Sequence, residues 1–309
     1  MAWETSSFVN LNVLRLFEVP TGPSATATLR LMRASPHLRI FSPGRTLLAP
    51  GLEPACDVQG SISLAYLEEM EIYGYPREVT YVLDRITVPS TCSISIHYIW
   101  NQSPEDLRLM QSLFPRQLAF RNLLPHCTAL TLALAAHLAT IAATCCCSGH
   151  CPILIRVSGA SSIGSRVIAE DTWTSLLHAC AGSPLTRIDV AYYPGARLSS
   201  SMWTALLEHF PLQVVQASIH LCREDQLLHL HHLFSALRTP CARPVRVLEL
   251  CGPVLDAALA DALLDLHEHR AASDMPLDEL VFMQCYFEPP WEPEEFMARL
   301  ALYVKPVIK

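Results

Sequence analysis

The sequence predicts an α/β chain in which parallel strands alternate with helices and stack into a solenoid curved like a horseshoe. Three observations carry this expectation. An apolar triple at positions 1, 4 and 6 returns along the 309 residues, and many of the gaps between triples carry helical apolar stripes. The strands also alternate charged with apolar letters, as in Leu67, Glu68, Glu69, Met70, Glu71, Ile72. A doubly wound sheet is buried on both faces and reads as continuous apolar runs, whereas alternation leaves one face wet. A parallel sheet with helices on one face and water on the other is the arrangement of a solenoid.

The triples in chain order are Leu11/Leu14/Leu16, Leu67/Met70/Ile72, Cys127/Leu130/Leu132, Leu185/Ile188/Val190, Leu212/Val215/Ala217, Val245/Leu248/Leu250 and Leu277/Leu280/Phe282. Leu38/Ile40, Ile94/Ile96 and Ile155/Val157 are copies that lack the first apolar residue. In a chain that is 51% hydrophobic, one triple means little; the mean spacing of about 30 residues, a period typical of repeat arrays, means more.

Helices are expected over Val79 to Ile86 and over four longer stretches. Glu170 to Ala181 places Trp173, Leu176, Leu177 and Cys180 on one face, opens on acidic residues that suit the helix dipole, and stops at Gly182. Ser200 to Phe210 carries Trp203, Leu206, Leu207 and Phe210 and ends at Pro211. Glu224 to Leu237 carries Leu227, Leu230, Phe234 and Leu237, and Asp256 to His269 carries Leu259, Leu263 and Leu266. The Pro-rich stretch Glu288 to Pro293 reads as a loop before a last helix.

Composition excludes several functions. With 17% charged residues against a usual quarter, the chain buries a large core. A net charge of -7 and 22 basic residues scattered singly leave no stripe for a phosphate backbone, so nucleic acid is not an expected partner. Eleven glycines are about half the usual share, which leaves little for phosphate-cradling loops. The only lysines are Lys305 and Lys309.

The 12 cysteines follow no regular spacing, and no secretory leader is visible, so free thiols and a cytoplasmic or nuclear location are expected. Cys92, Cys222 and Cys251 read as small buried apolar residues. The cluster Cys145 to Cys151 lacks the second ligand pair of a zinc site and reads as a flexible thiol-rich loop. No Asp, Glu, Lys or Arg stands between Arg121 and Arg156, long enough for a span, and attachment through 123–147 is an alternative. Pro125, His126, His137 and four threonines favour instead a buried strand followed by a small-residue loop.

No catalytic constellation is legible, and neither metal nor cofactor is expected. His229 and His232 stand at i, i+3 but read as solvent-facing histidines, since no third ligand completes a set. His267 and His269 are two apart and face different ways, unlike a zincin pair. Gly159 to Ser161 supplies one of the two glycines of a nucleophile elbow. An open-sheet α/β enzyme of unknown reaction is the alternative from another class.

The segments SLAYLEEMEIYGYPREVTYVLDRITVPSTCSISIHY, LTRIDVAYY, VRVLELCGP and LDELVFMQCYF resemble the repeat regions of fungal, basidiomycete-like F-box proteins, built from degenerate leucine-rich repeats. The resemblance implies one leucine-rich-repeat-like domain over 1–309. It departs from the family at the ninth repeat position, where a buried Asn or Cys bonds backbone: Val19, Tyr75, Ala135, Tyr193, His220 and Pro253 stand there, and only Cys285 fits. The F-box itself is not visible, since Phe8 to Val19 already reads as a repeat strand.

What the resemblance implies is a non-enzymatic protein–protein interaction module, the substrate-recognition region of an F-box-type ubiquitin ligase receptor. A Skp adaptor and cullin would join it only if an F-box precedes the chain. In a horseshoe the residues alternating with the buried triples line the concave binding face: Arg15, Glu69, Glu71, Tyr73, His97, Arg156, Arg187, Asp189, Gln216, Glu249 and Met283. This mixed polar and aromatic set suits a protein partner.

Overall fold

The computed structural model describes residues 8–16, 22–43, 48, 60–100, 124–135, 138–144, 153–159, 177, 180, 182–193, 198–220, 223–287 and 293–309. The chain is a mixed α/β protein with parallel sheets, and it divides into two compact units: 1–127 with 137–183, and 128–136 with 184–309. The expected helix Glu170 to Ala181, the Cys145 to Cys151 cluster, Cys222 and the 288–292 loop lie outside the described residues; Leu177 and Cys180 are buried.

In the first unit the elements run β1 (Val13–Arg15), α1 (Ala25–Ala34), β2 (Ile40–Ser42), β3 (Ile62–Ser63), β4 (Glu69–Gly74), α2 (Pro76–Leu83), β5 (Ile86–Thr87) and β6 (Ser93–Trp100). Next come β7 (Ala129–Ala135), which belongs to the second unit, then β8 (Leu138–Thr144) and β9 (Ile153–Gly159) of the first. The first unit's sheet has the order β1-β2-β4-β6-β9-β8, and β3 pairs with β5. Every pairing in it is parallel except β8 with β9. Eight residues separate Thr144 from Ile153, too few for a crossover that needs a dozen or more, so these two strands run antiparallel.

Three expectations are corrected here. The second triple begins at Leu38, not at position 35: Leu38 and Phe41 are fully buried, and Ile40 pairs with Glu69 on the opposite register. Starts at 11, 38 and 67 are then 27 and 29 residues apart, closer to the period than before. Ile155 pairs with Ile96 rather than Ile94, a slip of two that keeps the strand's parity. The apolar run 129–144 forms two strands, not one strand and a loop, and no helix among the described residues is long and apolar enough to cross a membrane.

In the second unit β7 is followed by β10 (Arg187–Tyr192), α3 (Ser200–His209), β11 (Val214–Ile219), α4 (Arg223–Leu237), β12 (Val247–Cys251) and β13 (Val254–Leu255). Then come α5 (Ala257–Ala272), β14 (Glu279–Met283), β15 (Tyr286–Phe287), α6 (Pro293–Leu300) and β16 (Lys305–Ile308). Its sheet is parallel throughout, in the order β7-β10-β11-β12-β14-β16. From β10 onward each strand is joined to the next by a helix, the kind of crossover that parallel neighbours require.

Local chemistry starts these helices. Ser24, Ser199 and Asp256 accept from the backbone N–H three residues on, at 3.1, 3.3 and 2.8 Å, each satisfying one donor that a helix N-terminus leaves open. Pro76 occupies the first turn of α2, which spans Pro76–Leu83 and so lies a turn earlier than expected, and Glu294 and Glu295 lie in the first turn of α6.

The helices pack on the buried strand face. Ile188, Val190 and Tyr192 of β10, Val215 and Ala217 of β11, Leu248 and Leu250 of β12 and Leu280 and Phe282 of β14 are nearly inaccessible. Trp203 of α3, wholly buried, donates from Nε1 to Tyr192 Oη at 3.0 Å, which pairs two polar groups that burial would otherwise leave open. Burial of the Tyr192 phenol pushes its pKa up. Each fully buried aliphatic or aromatic side chain contributes about 1.5–3 kcal/mol relative to exposure.

α4 covers more of the core than its expected stripe. Gln226, His229, Leu230, Leu233, Phe234, Ala236 and Leu237 are buried, Leu227 is half-buried, and His229, expected in solvent, is tilted against Tyr192 with ring centroids 5.1 Å apart. The buried arc is centred one position away from Leu227, which draws His229 inward.

Candidate functional site

The face of each sheet away from the helices carries the residues that alternate with the core. In the first unit Arg15 and Glu69 form an ion pair at 3.6 Å, about half-exposed on both sides, a geometry that contributes little in water. Glu71 is better held: Ser42 Oγ donates to its Oε2 at 2.6 Å, and His97 Nε2 lies 3.7 Å from its Oε1. Tyr73 and His97, paired in register, stack with centroids 4.0 Å apart and planes 4° from parallel. Arg156 takes the next place along that row in β9.

Ser95 Oγ stands 3.1 Å from His97 Nε2, so a serine, a histidine and a glutamate meet on this face. They do not form a charge relay. A relay holds the carboxylate on one ring nitrogen and the hydroxyl on the other, whereas here Glu71 and Ser95 both approach Nε2.

In the second unit the expected residues come together through Arg187. Its Nη2 donates to Glu249 Oε2 at 2.7 Å and to Gln216 Oε1 at 2.5 Å, and its Nε lies 2.8 Å from Asp189 Oδ1, off the line of a hydrogen bond. Gln216 Nε2 passes the chain on to Ser218 Oγ at 3.1 Å. Register explains the meeting: Asp189, Gln216 and Glu249 are direct neighbours on β10, β11 and β12, with Arg187 two residues below.

Burial sets the electrostatics of this cluster. Partial burial raises the pKa of Asp189 by desolvation more than the guanidinium of Arg187 lowers it, with Glu249 also raising it and the Thr131 hydroxyl lowering it. Arg187 is itself raised: desolvation acts against its charge, but the hydrogen bond and charge of Glu249 with the charge of Asp189 outweigh it. Both shifts are upward, which favours the charged form of Arg187 and disfavours that of Asp189: two carboxylates share one cation, and burial penalises the carboxylate. Glu249 keeps only 13% of its side chain in solvent, and Val281, beside it in register, is buried.

Met283 lies apart from this cluster, half-buried at the end of β14 in register with Cys251. Cys251, expected in the core, is half-buried on the open-face register with Ser218, because its strand parity matches Glu249 and not Leu250. Cys92 is buried as expected.

The strand exits carry a second set of contacts. Cys285 Sγ lies 3.8 Å from the Leu250 carbonyl and 3.5 Å from that of Met283. Burial pushes its thiol up to about 12. Tyr193 and His220, at the same repeat position, stack with centroids 4.6 Å apart. Gly252 has φ +74°, and a Cβ there would stand 2.9 Å from the Ile219 carbonyl, so only glycine suits this close approach.

Sequence reading missed Ser42, Ser95, Ser218 and Gln226. The first was hidden by the frame slip at Ile40, which put it on the buried register. Ser95 and Ser218 already alternated with core residues. Gln226 is buried and clasps the Val254 backbone, accepting from its N–H at 2.9 Å and donating to its carbonyl at 2.5 Å. No group of three or more His, Cys, Asp or Glu that could hold a metal occurs among the described residues.

No protein-family model, curated protein or solved structure matches the chain. What its fold defines is a mixed α/β protein with parallel sheets, whose buried strand faces carry helices and whose opposite faces carry polar networks.

Proposed function

We propose that this chain is a non-enzymatic interaction module, a leucine-rich-repeat-like solenoid that recognises another protein with the open faces of its parallel sheets, as the substrate-binding region of an F-box-type ubiquitin ligase receptor. The observation that carries this reading is the polar cluster of Arg187, Asp189, Gln216 and Glu249, drawn from three successive strands on the face that no helix of the described residues covers. Residues of adjacent repeats converging on one surface are what a solenoid uses to hold an extended partner. The stacked Tyr73 and His97 give the first unit's face an aromatic contact of the kind enriched at interfaces.

The test is to tag the C-terminus at the native locus and identify the companions by mass spectrometry. Recovery of a Skp adaptor and a cullin with a stoichiometric protein partner supports the reading. A purified chain with neither adaptor nor cullin removes the ubiquitin part, and one with no partner at all removes the interaction part. A small-angle scattering profile tests the horseshoe separately: a compact-globule radius of gyration near 2.2·N^0.38 Å, about 19 Å for this length, would overturn it.

A further inference from the structure

We propose that the open face of the second unit's sheet takes a basic peptide segment, whose Arg or Lys side chain docks at the Asp189 and Glu249 carboxylates. The inference rests on the partner-binding reading above and names the chemistry of the partner.

Charge complementarity is the reason. Two carboxylates meet one guanidinium, so among the described residues the cluster keeps one negative charge that no neighbouring cation cancels. Arg187 is already engaged by Asp189, Gln216 and Glu249, and Lys305, the other basic side chain within the strands of this sheet, is tied to Glu279 at 2.7 Å. An anionic partner would have to displace those contacts and would meet two carboxylates. A cationic side chain meets them favourably, in a place where Glu249 is shielded from water and its charge is weakly screened. Gln216 and Ser218 continue the face with neutral hydrogen-bonding groups, which suit the polar backbone of a peptide.

The test uses the full chain and a fluorescein-labelled nonapeptide of three Gly-Ser-Arg repeats, with a matched peptide carrying neutral citrulline for Arg. Binding is read by fluorescence anisotropy at low and moderate salt. The arginine peptide is expected to bind at least about tenfold more tightly than the citrulline peptide, and less tightly as salt rises. E249Q is expected to weaken the arginine peptide about tenfold, and R187Q, which removes the internal competitor, to tighten it several-fold. Opposite signs cannot come from loss of fold, since misfolding weakens both. Equal affinity for the two peptides, no binding of either, or weakening by R187Q would overturn the proposal. A partner recovered from the native locus that is still retained by E249Q would leave the interaction reading standing and remove this one.

Discussion

Arg187 and Glu249 are 62 positions apart in the chain and meet at 2.7 Å, because parallel register sets β10 and β12 on either side of β11 and puts both side chains on the face away from the helices of the described residues. The pair is coupled to Asp189 and Gln216, so neither residue is an isolated surface charge. E249Q or R187Q alone is expected to destabilise the fold by about 1–3 kcal/mol, since each leaves desolvated polar groups short of a partner. The double variant should lose less than the sum of the two, with a coupling of about 0.5–2 kcal/mol in urea unfolding. Strict additivity would show that the contact is energetically idle.

Acid should destabilise the second unit through His267. Its ring is buried and its Nε2 makes no hydrogen bond among the described residues; burial first, and the charge of Arg270 second, bring its pKa down to about 4 from 6.5. Above about pH 6.5 the ring is neutral folded and unfolded, and it adds no pH dependence. Between 6.5 and 4 the unfolded chain takes up a proton that the folded chain refuses, so stability falls as pH falls and levels off below 4. The loss is on the order of 3 kcal/mol. H267Q should flatten this part of the melting temperature profile; an unchanged slope would assign the acid loss to other groups.

The buried guanidinium of Arg270 is held by backbone carbonyls and by no carboxylate among the described residues. It donates to the carbonyls of Leu237, Ala242 and Val245 at 2.6, 3.3 and 3.0 Å, tying the end of α4 to the entry of β12. Desolvation and the charge of Arg246 lower its pKa to about 10, and its donors serve three otherwise open acceptors. R270M is expected to cost about 3–5 kcal/mol, because it opens all three carbonyls at once, and R270K somewhat less, because an ammonium still donates to some of them although it cannot span all three. Equal stability of R270M and the parent in urea would show that water serves those carbonyls as well.

The strands were legible where the apolar triple was complete. Leu67, Leu185, Leu212, Val245 and Leu277 each open a segment whose fourth and sixth residues are buried, and the parity of those strands put Arg187, Asp189, Gln216 and Glu249 on one face before their contacts were known. Parity failed at Leu38/Ile40, one of the three copies without an apolar first residue. Ile40 and Phe41 are both apolar, and only pairing with Glu69 and Met70 tells which is inside. Helical faces were legible to within one position, which sufficed for Trp203 and Leu263 but not for His229. The clasp of Gln226 on Val254 was invisible, because a buried polar side chain is recognised by its partner and not by its neighbours in sequence.

Thiol reactivity should separate the cysteines. Desolvation raises Cys92, Cys180 and Cys285 to about 12, with Glu69, Cys127 and Cys251 respectively adding to it, so almost none of these groups is thiolate at pH 8. Short iodoacetamide treatment of the native protein should leave all three unmodified by peptide mass spectrometry and label them fully once the chain is unfolded. Rapid native labelling of Cys92 would place it in contact with solvent.

The last strand of the second sheet is guarded against pairing with another chain. Lys305 and Lys309 donate their N–H groups inward to Asp278 and Phe282, so the alternation of a parallel ladder turns positions 306 and 308 outward. Position 306 is Pro, which has no N–H to offer, and the charged Lys305 stands beside it. Ile308, 60% exposed, and Leu302, 78% exposed, would otherwise make this edge adhesive. P306V restores an outward donor and places a β-branched residue of similar size at this half-buried position beside Leu280, so it should promote self-association at tens of micromolar while leaving the melting temperature nearly unchanged. Sedimentation velocity across a concentration series reads this directly. P306V remaining as monomeric as the parent would mean that lysine charge and edge twist, not the missing donor, keep the edge unpaired.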